Sequence, residues 1–137
     1  MKKIMLGYDD TEPSRRALER AAQLTKAFGS ELIVISVTPV FVGAGRSAGP
    51  VDPMEPVEKH SDELAHARSY LEGQGIEASY QPAVGDVSET IVELANQRGA
   101  DLIIVGTREP SRLERVFGQS VSDAIAHHAH TDIMIVH

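Results

Sequence analysis

The alternation of apolar runs with helical patterns predicts five strands. Three runs, KKIMLGY, ELIVISVTPV and DLIIVG, are continuously apolar, as in strands buried on both faces of a sheet. The segment IEASYQPAVG alternates instead, which favours a half-exposed strand at a sheet edge. A last helix, SVSDAIAHHA, precedes the fifth strand, TDIMIVH. Helices between buried strands predict an open, doubly wound α/β sheet with parallel strands.

Each of the first four strands is followed by a predicted helix. Asp10 or Thr11 caps the first helix, the second covers about 56–72, and the third begins at Asp86 or Ser88. Helical spacing brings together Ala17, Ala21, Leu24 and Phe28 in the first helix and turns Leu64, Ala67, Arg68 and Leu71 inward or half-inward in the second.

Glycines and prolines interrupt regular structure between residues 39 and 57. We interpret this segment as a loop, because the chain on either side of it is too short to form a domain alone. The 137 residues therefore predict one domain, 1–137, in three layers of helix, sheet and helix.

The composition of the chain argues against several classes of function. The net charge of −7 argues against binding to nucleic acid or to an anionic membrane, because both need a basic face. The chain has no cysteine, which excludes disulfides and thiol chemistry. No apolar run approaches the ~20 residues that span a bilayer, and no signal peptide is visible, so we expect a cytoplasmic protein.

Ligands of open α/β sheets bind beyond the carboxyl ends of the strands, where the strand order reverses. This rule singles out three junctions, at Gly7–Thr11, at Ser36–Pro39 and from Gly106 onward. At the first junction, Asp9 and Asp10 could accept hydrogen bonds from a ribose or a base, or help to hold Mg²⁺. They could equally cap the first helix, and the two roles are compatible.

The junction from Gly106 to Ser122 has the outline of a phosphate-binding turn. Thr107, Ser120 and Ser122 supply hydroxyls, the following helix supplies backbone N–H groups, and Gly106 permits a close approach of another group. Arginines at 108, 112 and 115 add positive charge, whereas Glu109 opposes a phosphate and Gln119 adds a side chain. The alternative is a loop whose serines only cap a helix.

Other common sites lack support in the sequence. Neither G-x-x-x-x-G-K-[ST] nor G-x-G-x-x-G occurs, and no nucleophile is paired with a base, so we expect no catalytic turnover. His127 and His130 share a spacing of three residues, with Asp132 nearby, but histidines also suit a helix C-terminus. We therefore expect no metal site.

The chain resembles the universal stress protein family over essentially its whole length. Four segments carry the resemblance: KKIMLGYDDTEPSRRAL, ELIVISV, AVGDVSETIVELANQRGADLIIVGTR and GQSVSDAIAHHAHTDIMIVH. The resemblance implies a parallel sheet in the order 3-2-1-4-5. It also implies a homodimer in which the last strands pair across a two-fold axis, through Ile133, Met134, Ile135 and Val136.

Members of this family that bind ATP carry the motif G-x-x-G, nine residues, then G-[ST]. On this chain Gly106 and Ser120 match its two ends, whereas Glu109 and Gln119 replace its inner glycines. The nucleotide-binding residues that the resemblance and the junctions imply are Gly7, Asp9, Val37, Gly106, Arg108, Gln119, Ser120, Val121 and Ser122. Asp9 matches the acidic residue near the adenine, and Val37 matches the valine whose backbone faces the base.

A carboxylate beside a polyphosphate costs on the order of 1 kcal/mol or more, which is about tenfold in affinity. The sequence thus predicts a regulatory, homodimeric module with a pocket for ATP or another adenine nucleotide, with or without Mg²⁺, in which ATP binding is weakened by Glu109 and Gln119. The alternative is a protein-interaction module of the same fold that binds no nucleotide. Either could act through a regulatory protein partner.

Overall fold

The structure is a computed structural model that describes residues 1–38, 55–107, 125 and 129–137, with the backbone alone for 55–61. The predicted loop 39–57 thus lies largely outside the described residues, as does the predicted last helix apart from Ile125. The elements are β1 (Lys3–Gly7), α1 (Glu12–Phe28), β2 (Glu31–Thr38), α2 (Glu55–Gly73), β3 (Ala78–Val84), α3 (Val87–Arg98), β4 (Leu102–Gly106) and β5 (Asp132–Val136).

The strands form one sheet of five, in the order β3-β2-β1-β4-β5, and every pairing is parallel. This confirms the predicted strand order. The chain moves outward from β1 to β3, returns to the other side of β1 for β4, and continues to β5. The order therefore reverses between β1 and β4.

Helices cover both faces of the sheet, and the reversal decides which face each one covers. Because parallel connections are right-handed, α1 and α2 lie on one face and α3, on the return path, lies on the other. The first face buries Ile4, Leu6, Ala17, Leu18, Leu32, Val34, Leu64, Ala67, Leu71 and Ile104, and the second buries Met5, Ile33, Ile35, Ile91, Ala95, Ile103, Val105 and Ile125.

The alternating segment forms the edge strand β3, as predicted, although it begins at Ala78 rather than at Ile76. The N–H of Gly85 donates to Thr38 O over 3.0 Å, so Gly85 directs its backbone toward β2. Pro82 lies three residues earlier and faces the opposite way, because successive residues of a strand alternate. Its missing N–H thus falls on the outer side, where it costs no ladder hydrogen bond.

The caps resolve the alternatives left by the sequence. Thr11, not Asp10, caps α1 through its Oγ1, which accepts from Ser14 N at 3.4 Å. Asp86, not Ser88, caps α3 and accepts from Glu89 N at 2.9 Å.

Two predictions about helix faces were wrong. Arg68 is exposed, and its guanidinium lies 4.5 Å from the ring centre of Tyr80, because a charged head is more stable over an aromatic face at the surface than in the core. Phe28, the last residue of α1, is also exposed, because the helix ends there and passes beyond the core. The helices in the part of the chain that the structure describes are too short or too polar to cross a bilayer.

Candidate functional site

The three predicted junctions lie together at one edge of the sheet, because parallel strands end on the same side. We call this edge, formed by the last residues of the strands and the turns that follow them, the carboxyl edge. Gly7 ends β1 and Gly106 ends β4, and these two strands flank the point where the order reverses. The carboxyl end of β2 lies beside that of β1. An open α/β sheet binds ligands in this position.

Asp9 organises the turn between β1 and α1. Its Oδ1 accepts from Thr11 Oγ1 at 2.6 Å and from Thr11 N at 3.2 Å, and its own N–H donates to Ser14 Oγ at 3.0 Å. Of the two roles predicted for this carboxylate, the structure shows the one that supports the helix start. A carboxylate held in this way has a fixed position at the carboxyl edge.

Asp10 turns toward a different element. Its φ of 61° lies in the left-handed region, which aspartate tolerates better than most residues other than glycine. Asp10 Oδ2 lies 2.7 Å from His66 Nδ1 on α2. The two adjacent carboxylates therefore have different partners. Asp9 bonds to the start of α1, and Asp10 bonds to the middle of α2.

Tyr8 is buried at the same junction. Burial is the main cause that raises the pKa of its phenol above the usual value, and the neighbouring Asp10 carboxylate raises this pKa further, whereas Arg15 acts in the opposite direction. The ring therefore stays a neutral phenol at any physiological pH. It packs in the core on the face of the sheet covered by α1 and α2.

The backbone of Val37 faces the position where a ligand would lie. Tyr8 N donates to Ile35 O over 2.9 Å, so Ile35 directs its backbone groups toward β1. Alternate residues of a strand face the same side, and Val37 therefore directs its N–H and C=O the same way. The paired register of β1 and β2 ends at Gly7 and Ile35, so these groups of Val37 point past the end of β1.

Ser36 and Glu63 form a buried polar pair behind Val37. Ser36 is fully buried on the face covered by α2, and its Oγ donates to Glu63 Oε2 over 2.8 Å. Glu63 is only 3% exposed. This pair was not predicted from the sequence, although a signal was present. Glu63 lies four residues before Ala67 and eight before Leu71, which places it on the buried stripe of α2.

Gly106 permits a close approach, as predicted, but the neighbour is part of the protein itself. A Cβ on Gly106 would lie 2.5 Å from Pro13 C, 2.6 Å from Ser14 N and 2.7 Å from Pro13 O. The bare Cα of Gly106 is thus needed by the first turn of α1. The glycine that matches the start of the nucleotide motif thus has a structural function in this fold, whether or not a phosphate binds.

Thr107 is also engaged within the chain. Its N–H donates to Val136 O over 2.8 Å and its Oγ1 lies 3.2 Å from the same oxygen. The Thr107 hydroxyl, which the sequence suggested as a phosphate ligand, thus connects the end of β4 to the end of β5. Gly7 likewise serves packing, since a Cβ there would lie 3.1 Å from Ile91 Cδ1 and 3.2 Å from Val105 Cγ1.

The rest of the predicted phosphate region lies outside the described residues. This holds for Arg108, Glu109, Gln119, Ser120, Val121 and Ser122, and for His127. His130 and Asp132 are exposed, and no group of three metal-ligating side chains occurs among the residues that the structure describes.

The predicted dimer strand, β5, lies at the edge of the sheet beside β4, and Ile133, Met134, Ile135 and Val136 are all half-buried. Val136 O accepts from Thr107 N and therefore faces β4. Ile133 and Ile135 alternate with it and direct their backbone groups away from β4. Arg16 Nε donates to His137 O over 2.8 Å and fixes the end of this strand to α1.

Known proteins resemble the chain along nearly its whole length. The model of the universal stress protein family matches residues 1–137. A universal stress protein of Methanocaldococcus jannaschii is 29% identical over 98% of this chain and 81% of its own length. The stress response protein NhaX of Bacillus subtilis is 25% identical, with 98% and 96% covered. The crystal structure of a universal stress protein in complex with cAMP has a TM-score of 0.77 and 27% identity, and the match covers 99% of this chain and 97% of that one.

Proposed function

The chain belongs to the universal stress protein family, and we propose that it is a regulatory module that binds an adenine nucleotide at the carboxyl edge without turning it over. The observation that carries this proposal is the position of Val37, whose backbone N–H and C=O point past the end of β1. One donor and one acceptor side by side match the acceptor nitrogen and the exocyclic amino group of adenine.

The ribose and the phosphates would extend from the base toward α1 and β4. Asp9 is held at the start of this path by Thr11 and Ser14. Glu109 and Gln119 stand where the family motif has glycines, and they weaken the binding of a polyphosphate more than that of a single phosphate. A family member of known structure in complex with cAMP supports a ligand with one phosphate. Mg²⁺ would accompany only a polyphosphate.

The test is a titration of the ¹⁵N-labelled protein with AMP, cAMP and ATP, followed by the amide resonances. We expect the amides of Val37 and Thr38 to shift on saturation, while those of Lys2 and Lys3, at the opposite edge of the sheet, stay unchanged. Asp101→Asn, a substitution at that opposite edge, is the control and should leave the nucleotide affinity as it is. Shifts confined to another surface, or no shift at any nucleotide concentration, would contradict the proposal.

The same proposal includes a cytoplasmic homodimer through β5 that could present the site to a regulatory protein partner. Ile135→Pro removes an N–H that faces away from β4, so it should block pairing with a second β5 while the ladder to β4 stays intact. Sedimentation velocity should then show a dimer for the wild type and for the control Ile135→Val, and a folded monomer for Ile135→Pro. If Ile135→Pro still sediments as a dimer, the interface lies elsewhere.

A further inference from the structure

We propose that Glu63 is a positioning residue of the nucleotide site, which fixes the carboxyl end of β2 through Ser36 and so sets the place of the Val37 backbone. This inference rests on the proposed function. It adds a residue of α2, a helix whose side chains carry none of the predicted nucleotide contacts.

The location of the pair links Glu63 to the site. Ser36 precedes Val37 directly, and the two side chains point to opposite faces of the sheet. A hydrogen bond of 2.8 Å from Ser36 Oγ to Glu63 Oε2 therefore holds the backbone at this point from the α2 side. Packing of Val37 in the core of the other face holds it from the opposite side.

Burial of this polar pair costs free energy. Ser36 follows Leu32 and Val34 on the same face of β2, and both Ser36 and Glu63 are buried. Apolar residues of similar volume are often as stable as, or more stable than, a buried polar pair of this kind. The pair is thus poorly explained by stability, whereas a directional bond specifies one position in a way that apolar packing does not.

Side chains of α2 hold two junctions of the site. Glu63 and His66 lie three residues apart on the same side of the helix, and His66 Nδ1 lies 2.7 Å from Asp10 Oδ2. One helix therefore bonds to the end of β2 and to the turn after β1. A ligand bound between these junctions needs their relative position fixed to within about half an ångström.

The test uses a variant that removes the bond and is expected to keep the fold. In Ser36→Ala with Glu63→Leu, both partners of this hydrogen bond become apolar together, so neither of them is left buried without the other. We expect this double variant to unfold at nearly the wild-type urea concentration and to bind the nucleotide at least tenfold more weakly. Glu63→Gln keeps an oxygen that can accept from Ser36 Oγ and should bind within about threefold of the wild type.

Leu71→Ala is the matched control, because Leu71 is buried on the same helix, two turns beyond Glu63. It should lower stability and leave the affinity of the folded protein unchanged. If Leu71→Ala loses as much affinity as the double variant, or if the double variant binds as the wild type does, the proposal is overturned.

Amide hydrogen exchange of the unliganded protein separates this inference from the proposed function. If Glu63 positions β2, the amides that join the end of β2 to β3 should exchange at least tenfold faster in the double variant, while those of β4 keep their wild-type rates. These are the amide of Thr38 and that of Gly85, which donates to Thr38 O over 3.0 Å. Unchanged exchange at Thr38 and Gly85 would overturn the role of Glu63. Absence of nucleotide binding by the wild type would instead overturn the proposed function, and the exchange rates would still decide the role of Glu63.

Discussion

The carboxyl edge of this sheet is built differently at its two ends. At the ends of β1 and β2, side chains on α2 hold the chain, through the Asp10–His66 and Ser36–Glu63 contacts. At the end of β4, the backbone of α1 packs directly against the Cα of Gly106. The first arrangement leaves the backbone groups of Val37 directed past the end of β1, whereas in the second the glycine is used for packing within the fold.

This difference bears on the nucleotide motif. A glycine at the start of G-x-x-G is usually taken as a mark of phosphate binding, but here the first turn of α1 requires Gly106 whether or not a phosphate binds. The informative positions are therefore Glu109 and Gln119, which depart from the motif, and Val37, which lies at the end of the site that we propose binds the base.

The largest expected effect is that of Gly106→Ala. The new Cβ would lie 2.5 to 2.7 Å from backbone atoms of Pro13 and Ser14, which cannot rotate away. We expect a loss of about 3 kcal/mol in the free energy of unfolding, measured by urea denaturation. A loss below ~1 kcal/mol would show that α1 can move and that the two ends of the site do not differ as described.

Restoring the two glycines of the motif should strengthen nucleotide binding rather than weaken the fold. Glu109→Gly with Gln119→Gly removes a like charge and a side chain from the path of a polyphosphate. We expect ATP affinity to rise about tenfold or more, and AMP affinity to rise less, in isothermal titration. Equal gains for both nucleotides would mean that these residues act on the base end as well.

Gly7→Ala should have a smaller effect than the same change at Gly106. Its Cβ would approach the ends of the Ile91 and Val105 side chains, at 3.1 and 3.2 Å, and these can adjust. We expect a change of about 1 kcal/mol or less in the free energy of unfolding. A loss as large as that of Gly106→Ala would contradict the distinction between side-chain and backbone neighbours.

The smallest effect concerns the opposite edge of the sheet. The backbone N–H groups of Lys2 and Lys3 lower the pKa of Asp101, and that of Lys2 has the larger effect. Asp101 Oδ2 accepts from these two groups at 2.8 and 2.9 Å. Because the pKa is lowered, the ionised Asp101 carboxylate stabilises the folded protein at pH values above its unfolded pKa, near 4. This contribution to stability is lost as the pH falls through the lower pKa of the folded state.

The difference in stability between the wild type and Asp101→Asn should therefore shrink between about pH 5 and pH 3, as followed by urea denaturation. Nucleotide affinity at neutral pH should be the same for both proteins. A change in affinity would mean that the two edges of the sheet are coupled.

Much of the fold could be predicted from the sequence, because buried parallel strands are continuously apolar and the alternation at Tyr80 and Gln81 indicates an edge. The local chemistry of the site could not. Asp9 and Asp10 are adjacent and chemically identical, and only the left-handed backbone at Asp10 and the presence of His66 separate their roles. Glu63 was missed because its partner, Ser36, lies on another element 27 residues away.

The most direct test of the account is calorimetric. The purified protein would be stripped of bound ligand with acid, refolded, and titrated with ATP, ADP, AMP and cAMP. We expect micromolar binding of at least one of them, with AMP or cAMP bound no more weakly than ATP. Absence of binding throughout the series, by a folded protein, would contradict the central claim that the carboxyl edge is a nucleotide site.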